Sequence, residues 1–575
     1  MITGGSGDHL SLIAVEASLT LCSIAIAFAW PGLGQRQFLA VERTIRALAG
    51  RKALAIIIVG ASAIGLRLAL LPWNPIPLPV IPDDFSFLLA GNTFASGRLT
   101  NPTPEMWIHF ESIFIDIKPT YMSMYFPGEG LVLAAGKVLF GHPWFGLLLV
   151  NGLMCAALCW MLQAWLPPCW ALFGGLIAVL RISLFSYWIN SYTGGGAIAA
   201  LGGALVLGAL PRLEKSWLWK QGLLMAIGMV LLAYTRPFEG VLLCVPVLIA
   251  MIWRYKTDRD SPNLARLAQN ALPGLMVLLI GAIWLGYYDY RAYGSPFTLP
   301  YSVNRAAYAV DPYFVWQTPR AEPVYRHEMI RKFYVSDEQD IYRKLHSLPG
   351  FLIGTPDKIL ILIEFFAGFA LIPPLCMMRR VILDRRVRFL LLLLLISFTG
   401  IVIQTFFVQH YVAPFTAVYY ALGLQATRHL WIWKAGGQDV GRAMVRLLVC
   451  VCLLMVVPRL LNRLLGMPVP AYPTEKWACW WYGPDWHGTE RAAVAAELSR
   501  LPGNQLAIVR YAPGHDPLNE WVYNEPNIDT SKVIWARDMG VALDRDLVRH
   551  YSARSVWLVQ PDTAPVSVTP YPAVR

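Results

Sequence analysis

The chain has 575 residues, of which 56% are hydrophobic and only 15% charged, and its mean hydropathy is +0.48. These values exclude an ordinary soluble globular protein, in which about a quarter of the residues are charged. They predict an integral membrane protein, with a formal net charge of +12.

Apolar segments recur along the chain at lengths near the roughly 20 residues that a helix needs to cross a bilayer. We predict twelve membrane spans, at about residues 10–30, 53–72, 143–165, 169–188, 196–212, 218–235, 238–253, 271–288, 358–378, 389–407, 413–428 and 446–464. The first segment lacks a basic leading region and a small-residue cleavage site, so we expect a span there and not a removable signal peptide.

Basic residues gather in five of the loops, those after the first, fifth, seventh, ninth and eleventh spans. Lysine and arginine are enriched in cytoplasmic loops, and with twelve spans these five loops fall on one side of the membrane. Both termini are therefore expected on the outer side. The positive net charge is mostly a signal of topology, so we expect no nucleic-acid partner.

Three stretches outside the membrane are long enough to carry chemistry: residues 73–142, residues 289–356, and the tail from about residue 465. In the tail, helical and strand-like patterns alternate, which predicts a small α/β domain. We divide the chain into an extra first helix with a cytoplasmic loop (1–52), a transmembrane domain that carries the site (53–465) and an external α/β domain (466–575). The predicted fold is an α-helical polytopic membrane protein with external amphipathic helices and this small domain.

Two consecutive carboxylates, Asp83 and Asp84, stand in the first external loop before a short helix that ends near Gly97. A second short helix is predicted over residues 127–140. An aspartate at a helix start commonly caps free N–H groups, and one carboxylate is enough for that. The other would lie beside a like charge, where it either binds a cation or has the raised pKa of a general base.

Several ionisable or polar side chains fall in the outer halves of predicted spans: Arg67, Arg181, Glu364 and Gln404. Polar groups at membrane depth usually line a cavity, so their shared depth predicts one water-filled cavity open to the outside. The alternative for the two arginines is that each extends its charge to the membrane interface.

Two outer turns carry groups that suit a phosphate and a sugar. Arg236 precedes Glu239 in one turn, and an arginine fork matches phosphate oxygens, although a plain salt bridge between the two is the alternative. His410 and Tyr411 lie in the other turn. Aromatic side chains near these turns, among them Tyr192 and Tyr301, can stack on sugar rings or can simply anchor the protein at the interface.

At these residues the chain resembles the C-type glycosyltransferases, polytopic enzymes that take a sugar from a polyprenyl-phosphate donor on the outer face of the membrane. The likeness covers about residues 50–430 and rests on the aspartate pair, the stretch PTYMSMYFPGEGLVLAAG and the following GHPW. Similar members include protein mannosyltransferases and lipid A aminoarabinose transferases. The resemblance implies a multi-pass protein of a bacterial inner membrane, with the active site and the C-terminal domain in the periplasm.

The chemistry that the resemblance implies is an inverting transfer to an acceptor on lipid A, a polysaccharide or a protein. Asp83 would be the base with Asp84 as its partner, and Glu111 and Asp116 are reserve candidates for the base. Arg236, helped by Lys118 or His410, would stabilise the donor phosphate. The expected partners are the lipid-linked donor, the lipid or glycan acceptor and the bilayer.

A metal at the site is a further expectation, with Asp83 and Asp84 as ligands of Mg²⁺ or Mn²⁺. Many members of the family carry another acidic residue in the second external loop. This chain has Asn190, Ser191 and Tyr192 there, so a metal site built from both loops departs from the pattern.

Two other classes of protein remain open at this point. A transporter or flippase of a lipid-linked saccharide would use the aspartate pair as an ion or proton site, but such proteins are commonly built from repeated halves, and the sequence shows no internal repeat. A non-enzymatic assembly protein would use its tail as an interaction module and would tolerate replacement of both aspartates.

Overall fold

The computed structural model describes residues 6–258, 262–461 and 489–572. Within these ranges eight helices are long and apolar enough to cross a membrane. They comprise Leu12–Ala29, Lys52–Ala69, Trp144–Trp165, Gly196–Ser216, Pro237–Thr257, Leu264–Tyr293, Arg385–Ile403 and Val440–Leu461. Each coincides with one of the twelve predicted spans, and the other four predictions fall on helices that are shorter or less apolar.

The described residues contain 23 α-helices. In order they are α1 (Ser6–Ala29), α2 (Gln35–Gly50), α3 (Lys52–Ala69), α4 (Pro82–Ala95), α5 (Pro127–Phe140), α6 (Trp144–Trp165), α7 (Pro168–Ala178), α8 (Tyr187–Asn190), α9 (Gly196–Ser216), α10 (Trp219–Thr235), α11 (Pro237–Thr257), α12 (Leu264–Tyr293), α13 (Pro300–Tyr308), α14 (Glu328–Arg331), α15 (Glu338–His346), α16 (Leu348–Phe366), α17 (Met378–Leu383), α18 (Arg388–Ile403), α19 (Thr416–Trp431), α20 (Val440–Leu454), α21 (Val456–Leu461), α22 (Thr489–Arg500) and α23 (Val541–His550).

Six strands complete the described structure. They are β1 (Ile115–Asp116), β2 (Met122–Ser123), β3 (Gln505–Val509), β4 (Val533–Arg537), β5 (Ser555–Gln560) and β6 (Ser567–Pro570). β1 and β2 form a small antiparallel pair in the first external loop. The other four form one sheet in the order β4, β3, β5, β6, with β6 alone antiparallel to its neighbour.

A buried ion pair ties the first helix to the rest of the bundle. Glu16 of α1 accepts hydrogen bonds from Nη1 of Arg181 at 3.2 Å and from the backbone N–H of Ala370 at 3.3 Å. The same guanidinium donates to the carbonyl oxygen of Glu364 at 3.0 Å. A charge buried in the membrane needs such partners, so Arg181 serves helix packing.

Arg67 is likewise engaged in packing. Its guanidinium donates to the carbonyl oxygens of Asn74 at 2.7 Å and Pro75 at 3.1 Å, and it lies 4.8 Å from the ring centroid of Trp144. The prediction of one cavity shared by Arg67, Arg181, Glu364 and Gln404 is therefore wrong for both arginines, because each is held in a separate network.

The C-terminal sheet buries both of its faces, which follows from the alternation of side chains along a strand. Leu506 and Ile508 of β3 face the first external loop, where they pack with Phe85, Phe110 and other apolar residues. The intervening Ala507 and Val509 pack against α22 on the opposite face. The α/β pattern of the tail is thus observed, while its predicted boundary near residue 466 lies outside the described residues.

Polar contacts fasten the C-terminal sheet to the first external loop. Arg537 of β4 donates from Nε to the carbonyl oxygen of Glu111 at 2.7 Å, and the Tyr523 hydroxyl donates to that of Ile113 at 3.2 Å. Arg537 also forms a buried ion pair with Glu520. These contacts hold the C-terminal sheet against the first external loop, in which Asp83 and Asp84 also lie.

We expect Glu520→Gln to weaken the attachment of the C-terminal sheet to the first external loop. The Glu520 side chain accepts hydrogen bonds from Arg537, from the Tyr511 hydroxyl and from the backbone N–H of Val522. Without the carboxylate the charge of Arg537 stays buried and unpaired, which costs about 3–5 kcal/mol. Thermal unfolding and limited proteolysis of the purified protein should show an earlier release of the C-terminal domain.

The matched control is Asp546→Asn, which breaks an exposed pair with Arg549 in the same domain. Exposed pairs contribute about 0–1 kcal/mol, so the control should behave as wild type. Equal stability of the two variants would contradict the role given to Glu520.

Candidate functional site

Asp84 is a structural carboxylate at the start of α4. Its Oδ2 accepts from the backbone N–H groups of Val80 at 3.1 Å and Ile81 at 3.4 Å. Its Oδ1 accepts from the N–H of Tyr192 at 2.9 Å and the hydroxyl of Thr193 at 2.7 Å. Burial raises the pKa of Asp84, and these four hydrogen bonds oppose the rise. The side chain therefore caps α4 and joins it to the segment before α9.

Asp83 is placed differently, although it is the next residue along the helix. Its side chain is partly buried and accepts a hydrogen bond of 2.5 Å from the hydroxyl of Tyr125. Burial raises the pKa of Asp83 to about 6, an effect that Asp84 reinforces and that Tyr125 and Arg236 oppose. A carboxyl group with this pKa is ionised at neutral pH and can take up a proton, as a general base must.

Arg236 is the fixed cation of the site, at the junction of α10 and α11. It is 8% exposed, it donates from Nη2 to the carbonyl oxygen of Gly194 at 3.1 Å, and its guanidinium lies 4.6 Å from the ring centroid of Tyr411. In the described part of the chain its Nε has no hydrogen-bond partner. Arg236 thus keeps a donor available for a ligand.

Two glycines before α9 bring the backbone to Arg236. Gly194 and Gly195 have φ angles of +91° and +62°, which side chains rarely permit. A Cβ atom on Gly194 would lie 2.4 Å from Nδ1 of His410. The two glycines therefore allow the backbone to approach His410 closely, and the carbonyl group of Gly194 accepts the hydrogen bond from Arg236.

Glu129, near the start of α5, is a site residue that sequence reasoning missed. It is 3% exposed, and its Oε2 has no hydrogen-bond partner among the described residues. Burial raises the pKa of Glu129 well above its usual range, while Arg236 and the N–H of Gly195 act in the opposite direction. The sequence signal that could have found Glu129 is an acidic residue inside the apolar run after Pro127. It was missed because acidic residues are common in the first turn of a helix.

Glu129 and Arg236 line one small cavity beside Asp83. The walls of this cavity are formed by Phe87, Tyr125, Phe126, Glu129, Gly194, Gly195, Thr235, Arg236 and Tyr301. Tyr411, under Arg236, and Glu239, which accepts from Nε2 of Gln404 at 3.0 Å, lie next to this group. Tyr192, another predicted site residue, donates a hydrogen bond from its backbone N–H to Asp84.

Three predicted site residues lie elsewhere or cannot act as predicted. Lys118 is exposed, with its ammonium group 3.6 Å from the ring centroid of Trp107. Glu111 lies at the junction with the C-terminal domain, where it contacts His327 at 3.3 Å. His410 accepts or donates a 2.8 Å hydrogen bond with Tyr187, and burial and Arg236 hold its pKa well below the usual range, so it is no cation for a phosphate.

The reserve base Asp116 is also outside the cavity. Its carboxylate accepts hydrogen bonds from Nδ2 of Asn304 at 3.0 Å and from the hydroxyl of Tyr293 at 2.9 Å. Burial raises its pKa to about 7. Asp116 therefore resembles Asp83 in pKa but lacks a neighbouring cation and an open face.

Asp83 and Asp84, the predicted ligands of a divalent ion, both already accept hydrogen bonds within the protein. Mg²⁺ prefers near-octahedral oxygen coordination and is usually bound by one or two carboxylates together with substrate phosphates and water. Asp84 is occupied by four donors, and Asp83 by Tyr125. Across the described ranges no three acidic, histidine or cysteine side chains come together in a way that could hold a metal.

Comparison with known proteins finds solved structures that are similar to this chain. No family model matches the chain, and no curated protein matches it. It is similar to the structure of ArnT from Cupriavidus metallidurans bound to undecaprenyl phosphate, with 14% identity, a TM-score of 0.49 and coverage of 89% of this chain and 98% of that one. It is also similar to the Archaeoglobus fulgidus oligosaccharyltransferase complexed with Zn and sulfate, with 11% identity, a TM-score of 0.47 and coverage of 88% and 67%.

Proposed function

We propose that the chain is a membrane glycosyltransferase that moves a sugar from a polyprenyl-phosphate donor to an acceptor hydroxyl at the periplasmic face of a bacterial inner membrane. The observation that carries the proposal is the placement of Asp83, a carboxylate with a pKa of about 6, against Tyr125, which lines the same cavity as the buried cation Arg236. A base and a phosphate-binding cation are the two groups that such a transfer requires.

In the proposed reaction Asp83 takes the proton of the acceptor hydroxyl as its oxygen attacks the anomeric carbon of the sugar. The bond between that carbon and the phosphate oxygen breaks, and its electron pair stays with the phosphate. Arg236 stabilises the charge that develops there, because an arginine in a water-poor site binds phosphate oxygens more strongly than in water. A single displacement of this kind inverts the anomeric configuration and needs no protein nucleophile.

The isoprenoid tail of the donor would lie between helices. An apolar cavity with a volume of about 230 Å³ lies among α7, α16, α18 and α19. Phe366 lines this cavity and packs 5.0 Å from Phe365, which in turn packs against Tyr187, the partner of His410. The cavity is thus two aromatic rings away from the outer polar turn.

Sugar release from labelled donors tests this function. Purified protein in lipid nanodiscs is incubated with short-chain polyprenyl phosphates that carry a hexose, a pentose or an aminopentose, with water as the acceptor, and free sugar is measured. Release from at least one donor is expected. Protein that moves a labelled lipid-linked sugar across a vesicle membrane and releases no sugar would instead be a flippase.

Tyr125→Phe should move the acidic limb of the pH profile. The Tyr125 hydroxyl stabilises the charged form of Asp83, so its removal raises the pKa of that carboxyl. A hydrogen bond to a charged group is worth about 1.5–3 kcal/mol, which corresponds to a rise of about one to two pH units. Sugar release measured against pH should show half-maximal activity at a correspondingly higher pH.

Tyr313→Phe is the control for this change, because Tyr313 is a half-buried tyrosine that packs against Tyr301 without bonding to Asp83. Its acidic limb should match that of wild type. An unshifted limb in Tyr125→Phe would mean that another group controls the activity at low pH.

A further inference from the structure

Glu129 is the one carboxyl group of the cavity that the proposed reaction leaves without a task. Glu129 is buried and lines the same cavity as Arg236. Its Oε2 has no hydrogen-bond partner among the described residues. A buried polar atom without a partner costs free energy, about 1–3 kcal/mol for a neutral group and more for a charged one. The unpartnered oxygen of Glu129, in the same cavity as an unpartnered Nε of Arg236, points to a ligand that would bond to both.

The groups that face Glu129 come from three parts of the fold. Asp83 and Asp84 approach from α4, Arg236 from the α10–α11 junction, and the backbone N–H of Gly195 from the segment before α9. Tyr125 and Tyr301 complete the wall. Two nearby carboxylates and burial favour the neutral form of Glu129, and a single shared arginine does not reverse this.

We propose that Glu129 is the general acid of the reaction and protonates the phosphate leaving group. This assignment rests on the proposed function. As the bond between the anomeric carbon and the phosphate oxygen breaks, its electron pair goes to that oxygen and the proton of Glu129 follows. The products are the glycosylated acceptor and a polyprenyl hydrogen phosphate monoanion, and Glu129 is left as a carboxylate beside Arg236.

The proton count closes over one turnover. Asp83 gains the proton of the acceptor and Glu129 loses one, so the protein as a whole keeps its charge. When the products leave, water exchange removes the proton from Asp83 and restores that of Glu129. Charge neutralisation by an acid suits this site, because a single arginine would otherwise face a doubly charged leaving group in a poorly solvated cavity.

The pH dependence has a defined sign. An acid must carry its proton, so activity is present below the raised pKa of Glu129 and is lost as the pH rises through it. A base must be free of its proton, so activity is lost as the pH falls through about 6, the pKa of Asp83. The wild-type profile should therefore be bell-shaped, with Glu129 responsible for the alkaline limb.

Glu129→Gln in the full-length protein separates this role from binding. The amide keeps the size and can still donate a hydrogen bond, but it cannot give up a proton. We expect sugar release to fall by about 10²-fold, since general acid catalysis contributes about 10²–10⁴-fold. The alkaline limb should disappear, and the affinity for polyprenyl phosphate, measured by tryptophan quenching, should stay within about threefold of wild type.

Asp289→Asn is the matched control, because Asp289 is another buried carboxyl with an unpartnered oxygen at the outer end of a helix and does not line the cavity. It should keep both limbs of the profile. Wild-type turnover with an intact alkaline limb in Glu129→Gln overturns the assignment and leaves the proposed function standing. Equal losses of binding and turnover make Glu129 a binding group and also overturn it, whereas a wild type that is inert toward every donor overturns both.

Discussion

Asp83→Asn should abolish sugar release, with a fall of about 10³-fold or more. Asparagine keeps the size of the side chain and can accept the hydrogen bond from Tyr125, but it cannot take a proton from the acceptor. General base catalysis contributes about 10²–10⁴-fold, so the loss lies within reach of a direct measurement. Sugar release from the labelled polyprenyl-phosphate donor provides it, with thermal unfolding as a check on the fold.

The control for Asp83→Asn comes from the same external loop. Asp116 is also buried, with a pKa raised to about 7, yet Asn304 and Tyr293 occupy its carboxylate. Asp116→Asn should keep turnover within about threefold of wild type, because Asp116 lies outside the cavity, and the amide oxygen can accept from Asn304 while the amide nitrogen donates to the hydroxyl oxygen of Tyr293. If Asp116→Asn were inactive and Asp83→Asn active, the base would have been assigned to the wrong carboxylate.

Asp84→Asn is expected to act through the fold and not through the chemistry. Asp84 accepts four hydrogen bonds from Val80, Ile81, Tyr192 and Thr193. An amide has one acceptor oxygen and two donors, so it cannot replace a carboxylate that only accepts. This distinguishes the two neighbouring aspartates by their geometry, whereas their sequence context treats them as a pair.

The elements of the fold were largely predictable because hydrophobic length and helix end signals are local properties. All twelve predicted spans fall on helices, and the short helices after Pro82 and Pro127 begin at those prolines. β6, over SVTP, was not predicted, since four residues that alternate weakly in polarity carry little strand signal. α2 was taken for a loop because its arginines served as a topology signal.

The site was less predictable, because contact between distant segments depends on side-chain direction. Asp83 and Arg236 were each chosen from their own context, and the structure places Arg236 in the wall of a cavity that is also lined by Tyr125, the hydrogen-bond partner of Asp83. Lys118 was predicted to help Arg236 at the donor phosphate, yet its ammonium group lies over the ring of Trp107. Glu111 was chosen for its loop, yet it serves the C-terminal junction, a contact made with residues about 400 positions away.

Ionisable residues at membrane depth gave the most misleading signal. Polar groups there favour a functional site, but the same cost of burial also selects tight structural pairs. Arg181 with Glu16 is such a pair, and no pattern in the sequence links two residues 165 positions apart. Glu129 shows the reverse case, because a functional carboxyl in a first helical turn is indistinguishable from one that favours the helix dipole.

Arg236→Gln should lower turnover by about 10²–10³-fold, the loss typical for removal of one preorganised electrostatic donor from a catalytic site. Glutamine can still donate to the carbonyl oxygen of Gly194 but carries no charge for the phosphate. Since the charge on phosphate increases as the sugar leaves, we expect the maximal rate to fall more than the affinity for the donor. Both follow from sugar release measured over a range of donor concentrations.

Lys118→Ala is the informative control for Arg236→Gln, because Lys118 is a cation of the first external loop that was predicted to help Arg236 bind the donor phosphate. Its ammonium group is exposed and lies over Trp107, so turnover should remain within about twofold of wild type. A large loss in Lys118→Ala with little change in Arg236→Gln would move the phosphate to the surface of the first external loop. That outcome would also separate the phosphate from Glu129, since the cavity would no longer hold the leaving group.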